Sequence, residues 1–219
     1  IALSIVSAVL TDGIVSAVLG KPFRIKDLSN IFIGTAIAVM MPAGVPLYVP
    51  AFAAVFAVEN EGIHALLWSF EENLRCECTK RDDPVYTDSC LELFLMPVQG
   101  DNRYINFEVN PKGVYLSQIG KNRSERQFIK ELTKLEPIIT PVDVKADGKK
   151  AWGCEIFLSE EFISSLYETE FKIRECEIKG NFYKCGDETE IPHFGSWSPI
   201  ELEKPDFHRP EFFGTLTIM

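Results

Sequence analysis

The sequence predicts an all-β fold, a jelly-roll-like β-sandwich with one or two short helices. From residue 49 onward, apolar or alternating segments are short, and turn-forming residues separate them at intervals of roughly eight to twelve positions. Helical periodicity is confined to short stretches. No charged or Gly/Ser-rich linker interrupts residues 59–219, so we expect residues 49–219 to form one domain.

The first predicted unit is a hairpin in YVPAFAAVFAVENEGIHALLWSF, whose two apolar runs flank the turn Asn60-Glu61-Gly62. The segment LRCECTK, which begins at Leu74, alternates and predicts a further strand. The strand SCLELFLMP follows. Its leucines occupy one face, which we expect to lie in the core, and Glu92 occupies the other face.

A second hairpin is predicted in RYINFEVNPKGVYLSQI, with its turn at residues 110–113. Because side chains alternate along a strand, Asn106, Glu108 and Asn110 share the face opposite the apolar residues. If this strand pairs with SCLELFLMP, the two outer faces form a patch of carboxylates and amides. Such groups bind adjacent hydroxyls well, because amides donate and accept hydrogen bonds and carboxylates accept two. A solvated sheet face is the alternative interpretation of this patch.

The remaining chain continues in short elements. Residues 124–137 fit either a short amphipathic helix or an irregular strand, and AWGCEIFLS predicts a strand. The segment SEEFISSLYE predicts a short helix that is capped by Ser159. We expect a strand in FKIRECEIKGNFYKC, with a turn at Gly180-Asn181, and a final strand in FFGTLTIM.

The charge balance and the cysteines limit the classes of partner. A formal net charge of −10, from 32 acidic and 22 basic residues, would repel a phosphate backbone, so we expect no nucleic-acid partner. The six cysteines form no paired CxxC clusters, so no structural zinc site is indicated. Cys76 and Cys78 would share a strand face and could bind a metal, although small buried thiols are the commoner outcome. An even cysteine count permits disulfides without requiring them, and no compartment is indicated.

Residues 1–48 differ in composition from the rest of the chain. Residues 31–58 carry no charged side chain, and this run is long enough for a membrane span. Three prolines spaced four residues apart interrupt the run, however, and a helix would tolerate them badly. SIVSAVL returns almost unchanged as GIVSAVL, and the basic region of a signal peptide is missing. Three interpretations stay open. A buried β segment is favoured for residues 49–58, and a membrane-associated or targeting segment is possible for the earlier residues but not favoured. The third interpretation is that this part of the given sequence differs from the natural one.

Two aromatic residues lie on predicted loops. Tyr86 stands six residues before Glu92, in the loop that leads into that strand. Trp197 lies in HFGSWSP, which neither a helix nor a regular strand favours, because glycine and proline flank the indole. Trp197 therefore either packs into the core or exposes its flat ring to a ligand. Trp68 and Trp152 lie within apolar strands, and we expect both in the core.

Four motifs in sequence order carry a resemblance to a known family: DPVYTDSCLELFLMP, YINFEVNPKGV, GNFYKCGDE and SWSPIELEKPDFHRPEFFGTL. Together they resemble the family 9 carbohydrate-binding modules, and above all the small stand-alone bacterial members of that group. The resemblance covers about residues 50–219 and does not extend to residues 1–48. It implies a non-catalytic β-sandwich that clamps a terminal sugar between two aromatic rings while polar residues bind its hydroxyls.

Carried over by position, the resemblance makes Trp197 one clamp ring. Tyr86 stands where xylanase-attached members carry a tryptophan, and Glu92 matches the hydroxyl-binding glutamate of the family's DSxE-type strand. Glu108 falls where those members carry an arginine, which leaves the identity of the sugar open. Family members can hold structural calcium, but no compact acidic loop in this sequence identifies a site, and no other cofactor is expected.

We therefore expect non-catalytic binding of a mono- or oligosaccharide, and the candidate ligand-binding residues are Tyr86, Glu92, Asn106, Glu108, Asn110 and Trp197. Each ring contact should contribute about 1 kcal/mol beyond area burial, and a shallow site of this kind should bind in roughly the micromolar to millimolar range. Two alternatives stay open. One is a hydrolytic or hydrolase-associated domain in which Glu92 and Glu108 form a glycosidase pair. The other is an interaction or sensor domain of the same fold that does not bind sugar.

Overall fold

The computed structural model describes residues 52–59, 61–146, 149–173, 176–204 and 206–218. The interpretations of residues 1–48 concern a part of the chain outside these ranges. Within the ranges, no helix is long and apolar enough to cross a membrane.

Eleven strands in the described residues form two antiparallel sheets, which confirms the predicted β-sandwich. In chain order the strands are β1 (Phe52–Glu59), β2 (Gly62–Ser69), β3 (Cys90–Met96), β4 (Tyr104–Val109), β5 (Tyr115–Gly120), β6 (Arg126–Phe128), β7 (Ile138–Ala146), β8 (Lys149–Ser159), β9 (Cys176–Gly186), β10 (His193–Ser196) and β11 (Gly214–Ile218). One sheet has the order β1-β2-β8-β7. The other has the order β10-β9-β3-β4-β5-β6, and β11 pairs with β9 beside β10. One α-helix, α1 (Glu160–Tyr167), follows β8.

The side chains that alternate to the inner face of β3 and β4 form the centre of the core between the two sheets. Leu91, Leu93 and Leu95 are fully buried there, as predicted, and Phe107 of β4 lies beside them. Burial of each such side chain contributes roughly 1.5–3 kcal/mol. The other face of these strands is directed away from the core, and that face carries the candidate site.

Helix α1 and the two predicted hairpins follow the local sequence signals. The Ser159 hydroxyl accepts a hydrogen bond of 3.1 Å from the Phe162 amide, which is the predicted N-cap. Glu59 and Gly62 close the first hairpin. In the second, Gly113 has a φ of 78°, a left-handed conformation that favours glycine.

The strand prediction for LRCECTK is wrong, because these residues join neither sheet. Their backbone amides bond to side chains instead of to a neighbouring strand. The Asp88 carboxylate accepts from Glu77 N and Cys78 N, both at 2.9 Å. The Ser89 hydroxyl accepts from Arg75 N at 3.1 Å. An alternating pattern cannot reveal that side chains will satisfy the amides of a segment.

Two further differences from the sequence expectations concern backbone path. β9 runs through Gly180 and Asn181 without the predicted turn. A Cβ on Gly180 would lie 2.6 Å from the Phe94 carbonyl oxygen, so this glycine permits a close approach of strands rather than a reversal. The ambiguous residues 124–137 contain the short strand β6 and a 3₁₀ turn, and β7 is a strand that the sequence did not predict.

Candidate functional site

A cleft of about 760 Å³ opens on the outer face of the seven-stranded sheet. Its floor consists of side chains that alternate away from the core on β3, β4, β5 and β9. These floor residues are Glu92, Glu108, Leu116, Gln118 and Cys185. The walls come from loops and from the outer strands of the sheet. They include Pro84, Tyr86, Arg126, Phe128, Asp187, Phe194, Phe207 and His208.

Glu92 and Glu108 lie directly opposite each other on β3 and β4. Each residue is only 3% exposed. The Cys185 thiol donates to Glu92 Oε1 at 2.9 Å, and the Asn106 amide donates to Glu108 Oε1 at 3.0 Å. Among the described residues, Glu108 Oε2 has no hydrogen-bond partner. A buried oxygen without a partner is free to bind a ligand hydroxyl.

Burial raises the pKa of Glu108 to about 7, and the nearby Arg126 charge opposes this rise. Burial also raises the pKa of Glu92 well above its usual range, and the Cys185 and Glu108 side chains add to the rise. At least one of the two carboxyls therefore holds its proton near neutral pH. A protonated carboxyl donates as well as accepts a hydrogen bond, so the pair offers both functions to a polar ligand.

Tyr86 reaches the cleft on the 3₁₀ turn Val85–Thr87, which leads toward β3. Val85 is fully buried and anchors the turn. The Tyr86 carbonyl accepts a hydrogen bond of 3.0 Å from the Asp187 amide, which ties the turn to the end of β9. The ring is 41% exposed, so it presents an apolar surface at the cleft wall.

Phe194 of β10 supplies a second exposed ring to the cleft, and the sequence interpretation missed it. It pairs with Cys185 of β9, so its side chain lies on the cleft face of the sheet. The ring is 44% exposed and contacts Phe207 edge-on at a centroid distance of 6.2 Å. Phe207 in turn stacks on Tyr183 at 4.1 Å, which gives Phe194 a rigid support.

The structure places Trp197 on the core side of the sheet, so its assignment as a clamp ring is corrected. The Trp197 amide donates to the Phe182 carbonyl at 2.9 Å, and the indole contacts the Phe182 ring at 5.6 Å. It is partly buried against the main core and does not line the cleft. Trp197 follows Phe194 by three positions, and residues an odd number apart on extended chain point to opposite faces.

The two predicted asparagines do not reach the cleft as ligands. Asn110 lies in the turn after β4, where its side chain accepts from Lys112 N and Val114 N and donates to Asp88. The prediction that it binds a ligand is corrected, because these bonds occupy its amide within the turn. Asn106 lies beside Glu108 on the same face of β4, but it is fully buried outside the cleft lining and donates to Glu108.

A hydrogen-bonded network under the edge of the sheet holds β10, and therefore Phe194, in place. Lys184 is 1% exposed and contacts Glu71 at 3.0 Å and His193 Nε2 at 2.7 Å. The Trp152 indole also donates to Glu71, at 3.3 Å. Because a buried charge needs partners, this network fixes the start of β10.

Arg126 brings a guanidinium into the cleft from β6. Glu108 stands on β4 at the position where xylanase-attached members carry an arginine, and Arg126 enters the cleft two strands away from that position. Arg126 Nε donates to the Arg123 carbonyl at 3.1 Å, and Arg123 itself binds Asp206. Burial lowers the pKa of Arg126. No local pattern pointed to Arg126, because the sequence left the fold of residues 124–137 ambiguous.

Five cysteines of the described ranges are free thiols: Cys76, Cys78, Cys90, Cys154 and Cys185. The Cys76-Cys78 pair lies on the irregular segment and not on a strand, so the expectation that the two thiols share a strand face does not apply. Cys90 and Cys185 are direct partners on β3 and β9. Together with Glu92 they form a set of metal-ligating atoms within 4.8 Å of one another.

Two packed antiparallel sheets with a polar, ring-walled cleft on one outer face define a ligand-binding β-sandwich. Within that class, the chain belongs to carbohydrate-binding family 9, whose family model matches residues 43–218. This confirms the family that the sequence motifs indicated.

Two solved structures are similar to the chain. A candidate carbohydrate-binding protein from Bacteroides uniformis ATCC 8492 is 28% identical, with a TM-score of 0.67, over 84% of this chain and 86% of that chain. A family 9 carbohydrate-binding module from Caldicellulosiruptor kristjanssonii, solved in complex with glucose, is 10% identical, with a TM-score of 0.54, over 90% of this chain and 88% of that chain. The second likeness supports the fold alone. No curated protein matches the sequence.

Proposed function

We propose that the protein binds carbohydrate without catalysis, in the cleft on the outer face of the seven-stranded sheet. The observation that carries this proposal is the combination of two exposed rings, Tyr86 and Phe194, with the buried carboxyl pair Glu92 and Glu108 at the floor of the same cleft. Membership of carbohydrate-binding family 9 supports it, as does the glucose bound to a module of the same fold.

The arrangement suits a pyranose. The apolar C–H face of the sugar can lie on a ring, where contact should contribute about 1 kcal/mol beyond area burial. Its hydroxyls can then reach Glu92, Glu108 and the Gln118 amide, which together donate and accept hydrogen bonds. Arg126 adds a planar guanidinium whose two terminal nitrogens carry N–H donors, while its Nε–H is bonded to the Arg123 carbonyl. Glu108 Oε2, which lacks a partner among the described residues, would gain one from a ligand hydroxyl.

The hydrolytic alternative requires different protonation states in the two carboxyls of the pair. A glycosidase needs one ionised carboxylate and one protonated carboxyl, so the environments of the two must push their pKa values apart. Here the leading cause is the same for Glu92 and Glu108: burial raises both pKa values. Both carboxyls can then donate as well as accept hydrogen bonds, which suits the binding of sugar hydroxyls, and the reducing-sugar assay below decides between binding and hydrolysis.

A binding screen tests the proposal directly. A panel of mono- and disaccharides is measured against the purified protein by isothermal titration calorimetry. We expect binding in roughly the micromolar to millimolar range for at least one neutral or charged sugar. Tyr86→Ala should lower that affinity about fivefold or more, because the loss of a ring contact of about 1 kcal/mol corresponds to about fivefold. A reducing-sugar assay on the corresponding oligosaccharides should show no product.

Ile138→Ala is the matched control. Ile138 is 60% exposed and lies on β7, in the four-stranded sheet, so its truncation removes a comparable exposed apolar side chain outside the cleft. Equal loss of affinity in both variants, or no binding of any sugar on the panel, would reject the cleft as the sugar site. Release of reducing ends would favour the hydrolytic alternative.

A further inference from the structure

We propose that Cys90, Glu92 and Cys185 form a binding site for a thiophilic divalent cation of the zinc class at the floor of the cleft. The site is separate from the Cys76-Cys78 pair, which the sequence analysis considered as a possible metal site. It does not depend on whether the protein binds sugar, although it shares Glu92 with the proposed sugar site.

The geometry of the sheet brings the three ligands together. Cys90 and Glu92 are two residues apart on β3 and so point to the same face, and Cys185 on β9 is the direct partner of Cys90. Their sulfur and oxygen atoms all lie within 4.8 Å of one another. Two ligands at about 2.3 Å from a tetrahedral zinc ion stand about 3.8 Å apart. Small rotations of the side chains would therefore close the triad around an ion.

The ligand set selects the class of metal. Two cysteine sulfurs and one carboxylate, which would lose their protons on binding, favour zinc and other thiophilic ions, whereas calcium and magnesium prefer oxygen ligands alone. Cys185 and Glu92 both line the cleft, so the fourth coordination position would face it. Three protein ligands with one open position are typical of zinc sites that exchange a water or a ligand molecule.

Glu108 supplies an independent observation. Its Oε2 is buried and has no hydrogen-bond partner among the described residues, and Glu108 lies directly opposite Glu92 on β4. A water molecule on the bound ion would donate to this oxygen, in the way that outer carboxylates commonly support metal ligands. The Cys90 thiol makes a weak contact of 3.8 Å with the Leu91 carbonyl and a side-chain hydrogen bond with the Cys185 thiol.

Cadmium titration of the reduced protein tests the site, because cadmium thiolates absorb in the ultraviolet. The Cys76→Ser/Cys78→Ser variant removes the two partly exposed thiols of the irregular segment and leaves the proposed ligands intact. We expect this variant to bind one cadmium ion with the thiolate band and to release it to zinc but not to calcium. Cys185→Ser in the same background should weaken binding about 100-fold or more, since loss of a ligand exceeds the effect of a supporting residue.

Glu92→Gln in that background provides a second variant that preserves side-chain shape, and circular dichroism checks that each variant folds. The affinity for cadmium should fall here too, while the thiol count by Ellman titration of the unfolded protein stays unchanged. The proposal is overturned if the band disappears with Cys76 and Cys78, or if a folded Cys185→Ser or Glu92→Gln variant retains full affinity. Calorimetry with sugar is a separate measurement, so failure of the metal site leaves the sugar proposal intact.

Discussion

Trp197 contacts Phe182 edge-on, with ring centroids 5.6 Å apart, on the core side of the seven-stranded sheet. Phe194, in the same short stretch of sequence, faces the cleft on the other side. The two aromatic residues therefore have different roles, and substitutions can separate them.

We expect Trp197→Ala to destabilise the fold by about 2–4 kcal/mol, because it leaves a cavity beside Phe182. Sugar affinity should stay within about twofold of the wild type under conditions where the variant is folded. Urea unfolding gives the first quantity and calorimetry the second. A variant that kept full stability and lost sugar binding would show that the Trp197 indole contacts the sugar.

Gly214→Ala checks the same packing from β11, where Gly214 lies against the Trp197 ring. A Cβ at this position would lie 2.5 Å from the Trp197 ring, so the indole must shift or the strand must move. Overpacking of this kind typically costs about 1–3 kcal/mol. The free energy of unfolding from urea titration should fall by this amount, and the urea midpoint should fall with it. An unchanged midpoint would mean that the indole does not lie against β11.

The flat ring of Phe194 should matter more than its apolar character. Phe194→Leu removes the ring and keeps an apolar side chain, so we expect sugar affinity to fall about fivefold to tenfold. Phe194→Tyr retains the ring and should bind within about twofold of the wild type. Both variants should keep wild-type stability, because the side chain is 44% exposed. Equal affinities for the leucine and tyrosine variants would exclude stacking on this residue.

Glu108→Gln should change how stability depends on pH. The pKa of Glu108 is raised from its usual 4.5 to about 7, so between these values the native state holds a proton that the unfolded chain has released. Stability from this group is present below about pH 4.5 and is lost as the pH rises toward 7. We expect Glu108→Gln to be more stable than the wild type at pH 8, with a smaller difference at pH 4.

Glu177→Gln on the exposed face of β9 changes the net charge equally and serves as the control. Urea unfolding at both pH values provides the comparison. If the two glutamine variants respond alike to pH, the effect comes from net charge and not from burial of Glu108.

His208 should affect the pH dependence of stability in the opposite direction to Glu108. Burial lowers its pKa from 6.5 to about 2, and its Nδ1 shares a hydrogen bond of 2.9 Å with the Tyr104 hydroxyl. Below pH 6.5 the unfolded chain therefore binds a proton that the native state does not, and stability falls as the pH decreases. His208→Asn keeps a polar atom near the Nδ1 position and removes the titration.

The His208→Asn variant should be somewhat less stable than the wild type at pH 7, because the ring also packs on Phe94. Between pH 6.5 and pH 4, its loss of stability per pH unit should be smaller by up to about 1.4 kcal/mol. Chemical unfolding across this range measures the slope. Identical slopes would show that His208 is protonated in the native state.

Local signals in the sequence determined most of the strand pattern. Alternation placed the leucines of β3 in the core and Glu92 and Glu108 on the opposite face, because the side-chain period of a strand is independent of its partners. The Ser159 cap and the turn at residues 110–113 also depend on local backbone chemistry alone. The family motifs led to the correct family for the same reason, since they lie on these strands and turns.

Only the tertiary structure decided which side chains meet in the cleft. HFGSWSP contains two aromatic residues on opposite faces, and the face of each is fixed by the pairing of β10 with β9, not by the composition of the segment. Arg126 joins Glu108 across β5, and Cys185 joins Cys90 and Glu92 across one strand pair, over sequence separations that no local pattern spans. Strand pairing sets these contacts, because it brings distant positions to one point on the sheet while the local sequence fixes only the alternation.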